Sequence, residues 1–253
     1  MKRAVLAILF FCFLVSMSES QLWKMRRYEI VGGLGTSMFF GDIGGYSKTE
    51  NILGLRDLSI RQTRYDMNFS FRYRITREIN ARFSLTQAVF HATDSRGSNE
   101  NRGFDAYISV IEPALIGEYY FMKNTSENSY LFAKGKGGFI GGIMGSLDVY
   151  AFTGIGGLSY KIKANDKLIA RQTADNLVPG SFTGIVPVGL GSSLTFSPYL
   201  NFGIEFGGRY TFTDFLDGFH PIQQSSSNDV YYFFNLTVTY KLKTTSNGFP
   251  SFR

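Results

Sequence analysis

The sequence predicts an all-β protein: an antiparallel transmembrane β-barrel after an N-terminal signal peptide, with eight strands favoured and ten as the alternative. Three observations lead to this prediction. Apolar and polar residues alternate with a period of two along most of the chain. The alternating segments run about 11–14 residues, against ~5–6 in ordinary strands. Aromatic residues make up 16% of the chain, and they gather at the ends of these segments, where interfacial girdles lie.

The N-terminus has the pattern of a secretory signal peptide. A positive head (1–3) precedes an apolar stretch (4–15), and Ser18 and Ser20 are small residues placed for cleavage. The only cysteine, Cys12, lies inside the apolar stretch behind bulky phenylalanines, which does not suit lipid attachment. The mature chain is therefore expected to have no disulfide, no thiolate nucleophile and no Cys-ligated metal.

Composition excludes several classes of function. The formal net charge is +6 and the basic residues are spread along the chain, whereas a nucleic-acid-binding surface has them clustered. Beyond the signal no apolar run reaches the ~18 residues of a membrane-spanning helix. We therefore predict no nucleic-acid partner and a single all-β domain. The predicted boundaries are 1–20 for the signal peptide, 21–242 for the outer-membrane β-barrel and 243–253 for a periplasmic tail.

Three segments, 64–75, 201–213 and 230–242, show the alternation most clearly. Their predicted apolar faces are Tyr65, Met67, Phe69, Phe71, Tyr73 and Ile75; Phe202, Ile204, Phe206, Tyr210 and Phe212; and Tyr232, Phe234, Leu236, Val238, Tyr240 and Leu242. Weaker patterns cover 28–40, 81–91, 106–121, 149–162 and 184–196. In the seven strands after the first, charged residues are assigned to the polar face: Arg64, Asp66, Arg72, Arg74, Arg82, Glu112, Glu118, Lys161, Glu205, Arg209 and Lys241.

A soluble barrel turns such apolar faces inward, and an outer-membrane barrel turns them to lipid. The signal peptide, strand lengths and aromatic strand ends favour the membrane. The tight connections 76–80 and 197–200 then fit periplasmic turns. The long polar connections fit external loops: 41–63, 93–105, 163–183 and 214–229. We therefore expect both termini in the periplasm. The Gly-rich stretch 130–146 has no clean period, so it is either a thick periplasmic turn or part of an extra hairpin that raises the count to ten.

The interior of an eight-stranded barrel is just wide enough to be filled by side chains. Inward arginines 64, 72, 74, 82 and 209 nearly balance inward Asp66, Glu112, Glu118 and Glu205, so we predict a plugged, hydrogen-bonded lumen instead of a pore. Inward glycines are expected to make room for the arginines and to permit curvature; they are Gly189, Gly191, Gly203 and Gly207. Pro187 removes one donor from the strand ladder and is expected near a rim or a bulge.

Several stretches resemble the PorG-like outer-membrane barrel proteins of the Bacteroidota. They are GTSMFFGDIGG (35–45), EYYF (118–121), YAFTGIGG (150–157), IVPVGLGSSLTF (185–196) and GIEFGGRYTFTDFLD (203–217). Phe40, Gly41 and Asp42 match the family's first motif, and Pro187, Val188, Gly189 and Gly191 match the second, with Val188 for the usual Phe. The third is matched by Arg209, Thr211, Phe212, Thr213, Asp214, Phe215, Leu216 and Asp217, with Phe215 for the usual Tyr. The chain departs from the family after Asp217.

The resemblance implies a barrel that ties a periplasmic ring of the type IX secretion machinery to the outer membrane. We therefore predict a non-enzymatic membrane anchor or component of a protein-secretion complex in the outer membrane. Its expected partners are outer-membrane lipid and periplasmic or lipoprotein components. No cofactor, metal or small-molecule substrate is predicted. The alternatives are a small transport or adhesion barrel acting through its extracellular loops, and a rim-active enzyme.

The two histidines, His91 and His220, are the candidates for chemistry. Asp214, Asp217 and His220 would form the acid–histidine set of a rim enzyme, but no nucleophile, base and orienting group can be placed together. Asp214 and Asp217 are too few for calcium, which takes 6–8 oxygens. Both aspartates are instead predicted to cap a turn, and Asp42 beside Gly41 is predicted to form a similar turn.

A basic and aromatic segment, Trp23 with Lys24, Arg26 and Arg27, precedes the first strand. Tryptophan favours lipid headgroups and cations favour phosphates. The segment is therefore either an anchor at the inner interface or a short flexible leader.

Overall fold

The computed structural model describes residues 26–43, 62–95, 101–124, 143, 145–178, 180–220, 228–245 and 249–251. Eight long strands dominate it: β1 Tyr28–Phe40, β2 Arg64–Arg74, β3 Ile79–Thr93, β4 Asp105–Met122, β5 Leu147–Ala164, β6 Phe182–Thr195, β7 Leu200–Thr211 and β8 Val230–Thr244. One helix, α1 Asp166–Ala174, follows β5, and a two-residue strand, β9 Pro250–Ser251, pairs with the end of β8.

Each long strand pairs antiparallel with the next, and β1 also pairs with β8. The sheet is therefore closed, and closure leaves none of the eight strands with an unpaired edge. The predicted antiparallel eight-stranded barrel is confirmed. Strand lengths of 11 to 18 residues suit a tilted transmembrane strand better than an ordinary sheet. None of the helices among the described residues has the length and apolar character to cross a membrane.

The two ends of the barrel differ in their connections. At one end, called here the turn end, residues 75–78 and 196–199 close tight turns. The Thr76 hydroxyl accepts from the Ile79 N–H at 3.0 Å, and the Ser197 hydroxyl accepts from the Leu200 N–H at 3.1 Å. These bonds satisfy backbone donors in the turns. The opposite end, the loop end, carries the connections between β1 and β2, β3 and β4, β5 and β6, and β7 and β8, whereas β4 and β5 are joined at the turn end. Most of 130–146 lies outside the described residues.

Helix α1 lies in the loop-end connection between β5 and β6. The side chain of its N-cap residue, Asn165, accepts from the Leu168 N–H at 3.0 Å, and Asp166 places negative charge in the first turn. Leu168 is fully buried. The helix therefore packs through this leucine over the opening of the barrel at the loop end, which is called here the mouth.

Burial alternates along the strands with the predicted period. Outward residues such as Leu34, Phe69 and Leu236 are 61%, 59% and 61% exposed, although all are large and apolar. Two residues on the predicted outward face are buried, Tyr232 and Leu242. Tyr232 is covered because its ring stacks on Phe206 at 5.7 Å. The apolar outer wall is what a lipid-facing surface requires.

Two charged residues depart from the predicted inward assignment. Lys161 is exposed on the outer register of β5. The Arg64 side chain, at the start of β2, reaches His91, with Nη2 2.7 Å from Nδ1. Both lie at the loop end, where strands of up to 18 residues extend beyond what a bilayer needs. Alternation therefore fails as a guide to charge at the rim.

Pro187 lies inside β6, paired with Arg209 of β7. It is not at a rim, and the expected bulge is also absent there, because the β5–β6 pairing has the same register on both sides of Pro187. The pairing with β5 is instead interrupted between Thr153–Val188 and Gly156–Ile185. The missing N–H donor of Pro187 therefore interrupts the β5–β6 hydrogen bonds locally without changing the register of the two strands.

Candidate functional site

The turn-end half of the lumen holds a buried ion network. Arg72 contacts Glu29 (Nη1–Oε2, 3.0 Å) and Glu118 (Nε–Oε2, 2.8 Å). Arg82 contacts the other oxygen of Glu118 at 3.0 Å and Glu205 at 2.6 Å. Each carboxylate thus bridges two guanidinium groups. The members of this ion network are Glu29, Arg72, Arg74, Arg82, Glu118 and Glu205.

Hydroxyl and amide groups complete the network. The Tyr150 hydroxyl donates to Glu205 Oε1 at 2.6 Å, and the Tyr120 hydroxyl donates to Glu118 Oε2 at 3.2 Å. Asn80 donates to the same Glu118 oxygen at 3.3 Å. Buried ion pairs add little net stability compared with apolar packing, but removing one partner is costly. The network therefore specifies how six strands meet across the lumen.

Three of the four glycines predicted to make room for arginines make room for rings, and one of these, Gly207, also lies against Arg209, since a Cβ there would be 3.0 Å from Arg209 Nη1. Gly191 lies opposite Tyr150, and Gly189 lies opposite Phe152. A Cβ atom at either glycine would meet the opposing ring, and one at Gly207 would also meet Phe152. The rings thus lie flat over neighbouring glycines, which holds the Tyr150 hydroxyl at Glu205.

A second, smaller polar group lies nearer the loop end. Arg209 Nε lies 3.3 Å from Glu112 Oε1, and the Tyr231 hydroxyl donates to Glu112 Oε2 at 2.6 Å. The Arg209 guanidinium also lies 4.4 Å from the centre of the Phe233 ring. Arg209 and Glu112, both predicted lumen residues, therefore form a group separate from the ion network.

A cavity of about 1070 Å³ is bordered by every long strand except β5. Only the lumen touches strands on opposite sides of a barrel, so the cavity lies inside. Its bordering segments centre on small inward residues: Gly33, Asn68, Thr86, Ser193, Gly203 and Thr237. The lumen is thus filled at some levels and hollow at another.

Apolar side chains fill the loop-end half of the lumen. This apolar plug is not foreseen from alternation, since inward positions were expected to be polar. It includes Leu216 and Phe219 from the β7–β8 connection, which are 0% and 5% exposed, and Leu168 from α1. Strand residues complete it: Phe39, Phe90, Ile108, Leu158, Tyr160, Ile185, Tyr231 and Phe233.

The acidic turn 214–217 folds inward over this plug. Asp217 accepts from the Phe219 N–H with Oδ1 and from the Ile43 N–H with Oδ2, both at 2.9 Å. The predicted turn-capping role of Asp217 is thus seen in its bond to Phe219. A Cβ at Gly41 would meet Asp217 Oδ2. Two motifs far apart in sequence, around Gly41 and around Asp217, therefore meet at the mouth.

The other predicted mouth residues lie around Asp217. Asp214 Oδ2 is 2.9 Å from His220 Nδ1. The Thr211 hydroxyl lies 2.8 Å from the Thr213 carbonyl and 2.9 Å from the Asp229 carbonyl. These contacts connect the end of β7 to the start of β8.

Burial raises the pKa of Asp217 to about 7, and the nearby carboxylates of Asp42 and Asp214 act in the same direction against the two N–H donors. Burial likewise raises the pKa of Asp229 well above its usual value, helped by Asp217. Asp229 accepts from the Leu216 N–H at 2.8 Å. The mouth thus holds two carboxyl groups that favour protonation.

Asp42, Asp214 and His220 place three ligand atoms within 4.8 Å of one another. Calcium takes 6–8 oxygens, so this group offers too few. Asp214 is also occupied by the His220 ring. We therefore assign no metal to it.

Sequence reasoning missed two charged residues at these sites, Glu29 and Arg102. Glu29 belongs to the ion network, but the weak alternation of 28–40 hid it. Arg102 binds Asp94 through two nitrogens, at 2.8 and 2.9 Å, and donates to the Asp42 carbonyl at 2.8 Å. Arg102 lies in the connection between β3 and β4, outside the strands, so the alternation of apolar and polar residues could not indicate its role.

The segment before β1 is partly described. Arg27 Nη1 donates to the Tyr73 hydroxyl at 3.1 Å, and Arg26 lies 4.6 Å from the centre of the Tyr199 ring. These two residues are held against the turn end. Trp23 and Lys24 lie outside the described residues.

The chain matches no family model and no curated protein. Solved structures with a similar fold include the outer membrane protein OprG from Pseudomonas aeruginosa, at 12% identity over 87% of this chain and 97% of that one, with a TM-score of 0.46. Neisserial surface protein A is 11% identical over 85% of this chain and 96% of that one, with a TM-score of 0.42. The outer membrane protein W of E. coli is 13% identical over 85% of this chain and 97% of that one, with a TM-score of 0.41.

The closed sheet, its apolar outer wall and its polar inner network together define the class of this protein. It is an eight-stranded antiparallel transmembrane β-barrel.

Proposed function

We propose that this chain is an outer-membrane protein with its turn end and both termini in the periplasm. The observation that most supports insertion into a membrane is the outer wall, where large apolar side chains are exposed around the barrel; examples are Phe69, Phe83, Ile111, Phe206 and Leu236, which are 43% to 61% exposed. Cell fractionation and protease accessibility test it. We expect the chain in the outer-membrane fraction, with cleavage from outside confined to the long loops. Recovery in a soluble fraction would contradict it.

Within that setting we propose a non-enzymatic role as a membrane anchor or component of a protein-secretion complex of the type IX kind. The resemblance of 35–45, 185–196 and 203–217 to PorG-like barrels supports this. So does the meeting of two of these motifs at the mouth, where Ile43 donates to Asp217. The ion network fixes the lumen, so such a protein would act through the surfaces at its two ends.

Site-specific photocrosslinking in cells tests the secretion role. A crosslinker at Arg77 or Pro198, in the two tight turns, is expected to capture periplasmic ring or lipoprotein components. The same crosslinker at Val178, at the loop end and 87% exposed, serves as the matched control and is expected to capture none. Capture of lipid alone from both turns would contradict the role.

A second candidate is a small transport or adhesion barrel that acts through its outer loops. The cavity of about 1070 Å³ in the lumen favours transport. Current across a planar bilayer, increased when Leu216 and Phe219 are both replaced by Ala, would support it. An unchanged, non-conducting bilayer would contradict it.

A rim-active enzyme is the third candidate, and the Asp214–His220 contact is what favours it. Modified lipid A or proteolysis that disappears in His220→Ala would establish it. Neither is expected from the proposed anchoring role.

A further inference from the structure

The outer wall is apolar, yet one part of it carries exposed cations. In the eight strands, whose residues are all described, the exposed lysines are Lys161, Lys163 and Lys243. Lys243 lies at the turn end. Lys161 and Lys163 lie two residues apart on the outer face of β5, near the loop end.

Strand pairing places these two lysines beside other outward groups. Lys163 is paired with Tyr107 on β4, and Tyr107 is paired with His91 on β3. One step closer to the middle of the barrel, Lys161 is paired with Ser109. Paired side chains on one face stand about 5 Å apart, so this row spans about 10 Å across three strands.

Arg64 joins the row from β2. Its Nη2 lies 2.7 Å from His91 Nδ1 and 3.4 Å from the Tyr107 hydroxyl. The His91 and Tyr107 rings stack with their centres 4.2 Å apart. Asp105 lies beside His91, with Oδ2 2.9 Å from Nε2. We call this set the cationic patch: Arg64, His91, Tyr107, Ser109, Lys161 and Lys163.

The patch carries one arginine and two lysines against one carboxylate, Asp105. It lies directly above the lipid-facing belt, because the next outward residue of β4 after Ser109 is Ile111, which is 53% exposed. Lysines at this level have their stems against apolar surface and their ammonium groups in the headgroup region. A cationic surface at that depth matches the phosphate of a lipid headgroup.

We propose that the cationic patch binds the phosphate groups of a phosphorylated glycolipid in the outer leaflet, with Lys161, Lys163 and the Tyr107 and Ser109 hydroxyls facing the headgroup. The inference rests on the proposed outer-membrane orientation, which places the loop end outside. The expected ligand of the cationic patch is a lipid, because the patch lies on the outer face of the barrel and adjoins the lipid-facing belt. Ser109 and the ammonium groups supply the donors that phosphate oxygens accept.

Native mass spectrometry of the full mature chain tests the proposal. The folded protein is released from detergent micelles containing either lipid A with two phosphates or the same lipid without phosphate. Wild type is expected to retain the phosphorylated form preferentially. Because one basic residue near a membrane surface contributes about fivefold in affinity, we expect Lys161→Gln with Lys163→Gln to weaken retention by about 25-fold.

Lys243→Gln is the matched control, since it removes an exposed lysine from the opposite end, and it is expected to retain the lipid as wild type does. Far-UV circular dichroism checks that each variant remains a folded barrel. Equal retention of phosphorylated and dephosphorylated lipid by wild type would overturn the proposal, as would an unchanged double variant.

The outcome is separable from that of the proposed function. If the protein fails to insert into bilayers at all, the outer-membrane assignment is what fails. If the protein inserts fully but does not distinguish phosphorylated from dephosphorylated lipid, only the proposed phosphate binding by the cationic patch is refuted.

Discussion

The two halves of the lumen are filled through different kinds of interaction. At the turn end, charged side chains from opposite strands meet in the ion network, where each contact requires a particular distance and orientation of the charged groups. At the loop end, the apolar plug is closed by a leucine, aromatic rings and an inward-folded turn, with non-directional packing. A barrel interior of this width can thus be held by directional ion pairs at one end and filled by an inward-folded connection at the other.

The largest expected effect tests the ion network. Glu118→Ala removes the carboxylate that contacts the Nε atoms of both buried arginines, Arg72 and Arg82, which we expect to lower the free energy of unfolding by about 3–5 kcal/mol. Urea unfolding in lipid vesicles, followed by far-UV circular dichroism, measures it. Glu78→Ala in the exposed turn is the control and should change little. A loss below about 1 kcal/mol would mean that the network does not hold the turn end.

The next effect tests the plug. Leu216→Ala removes a fully buried side chain, but from a connection instead of a strand. We expect global unfolding to change little, while the amides of Ile43 and Phe219 exchange with solvent on the order of 100-fold faster, as about 2–3 kcal/mol of local packing is lost. Val178→Ala is the control. Equal loss of global and local stability would erase the distinction between the two halves.

A smaller effect tests the rings that support the network. Gly191→Val places methyl groups where the Tyr150 ring lies, and we expect about 1–3 kcal/mol of destabilisation as the hydroxyl leaves Glu205. Gly32→Val on the outer face meets nothing within 4 Å and should be neutral. The same urea titration separates them. Equal effects would show that ring placement is unimportant.

The smallest expected effect is the pH response of the mouth. The folded-state pKa of Asp217 is raised to about 7, whereas the pKa of an aspartate in the unfolded chain is about 4. The stabilisation that protonated Asp217 gives to the folded mouth is therefore fully present below about pH 4 and is lost as the pH rises through about 7. Hydrogen exchange at Phe219 should therefore accelerate from pH 4 to 7 after correction for intrinsic rates. Asp217→Asn should flatten this dependence, and an unchanged slope would exclude Asp217 as its source.

The alternation of 64–75 and 201–213 was enough to predict β-strands and to assign residues such as Phe69 and Arg72 to opposite faces, and strand length with the aromatic strand ends then favoured a membrane barrel. Alternation reports only which face a side chain takes. It does not report partners, so the grouping of Glu118 with Arg72 and Arg82, apart from Arg209 and Glu112, was not predictable. At the rim the pattern ends: Lys161 was assigned to the wrong face, and the Arg64 side chain leaves its inward register to reach His91.

The mouth shows a second limit. The stretch 214–220 has the composition of an exposed turn, and its inward fold depends on N–H donors of Ile43 and Leu216 that tertiary structure brings to Asp217 and Asp229. The resemblance to a family placed Asp42 and Asp217 in two separate motifs, without indicating that the two motifs meet.

The most direct test of the central claim is the collision rate of spin labels in lipid vesicles. Labels at Phe69 and Phe206, on the outer wall, are expected to be relaxed strongly by lipid-soluble oxygen and weakly by an aqueous nickel chelate, and a label at inward Ser84 should respond to neither. Labels at Phe69 and Phe206 that are shielded from oxygen would place the aromatic faces inside the barrel and contradict the account.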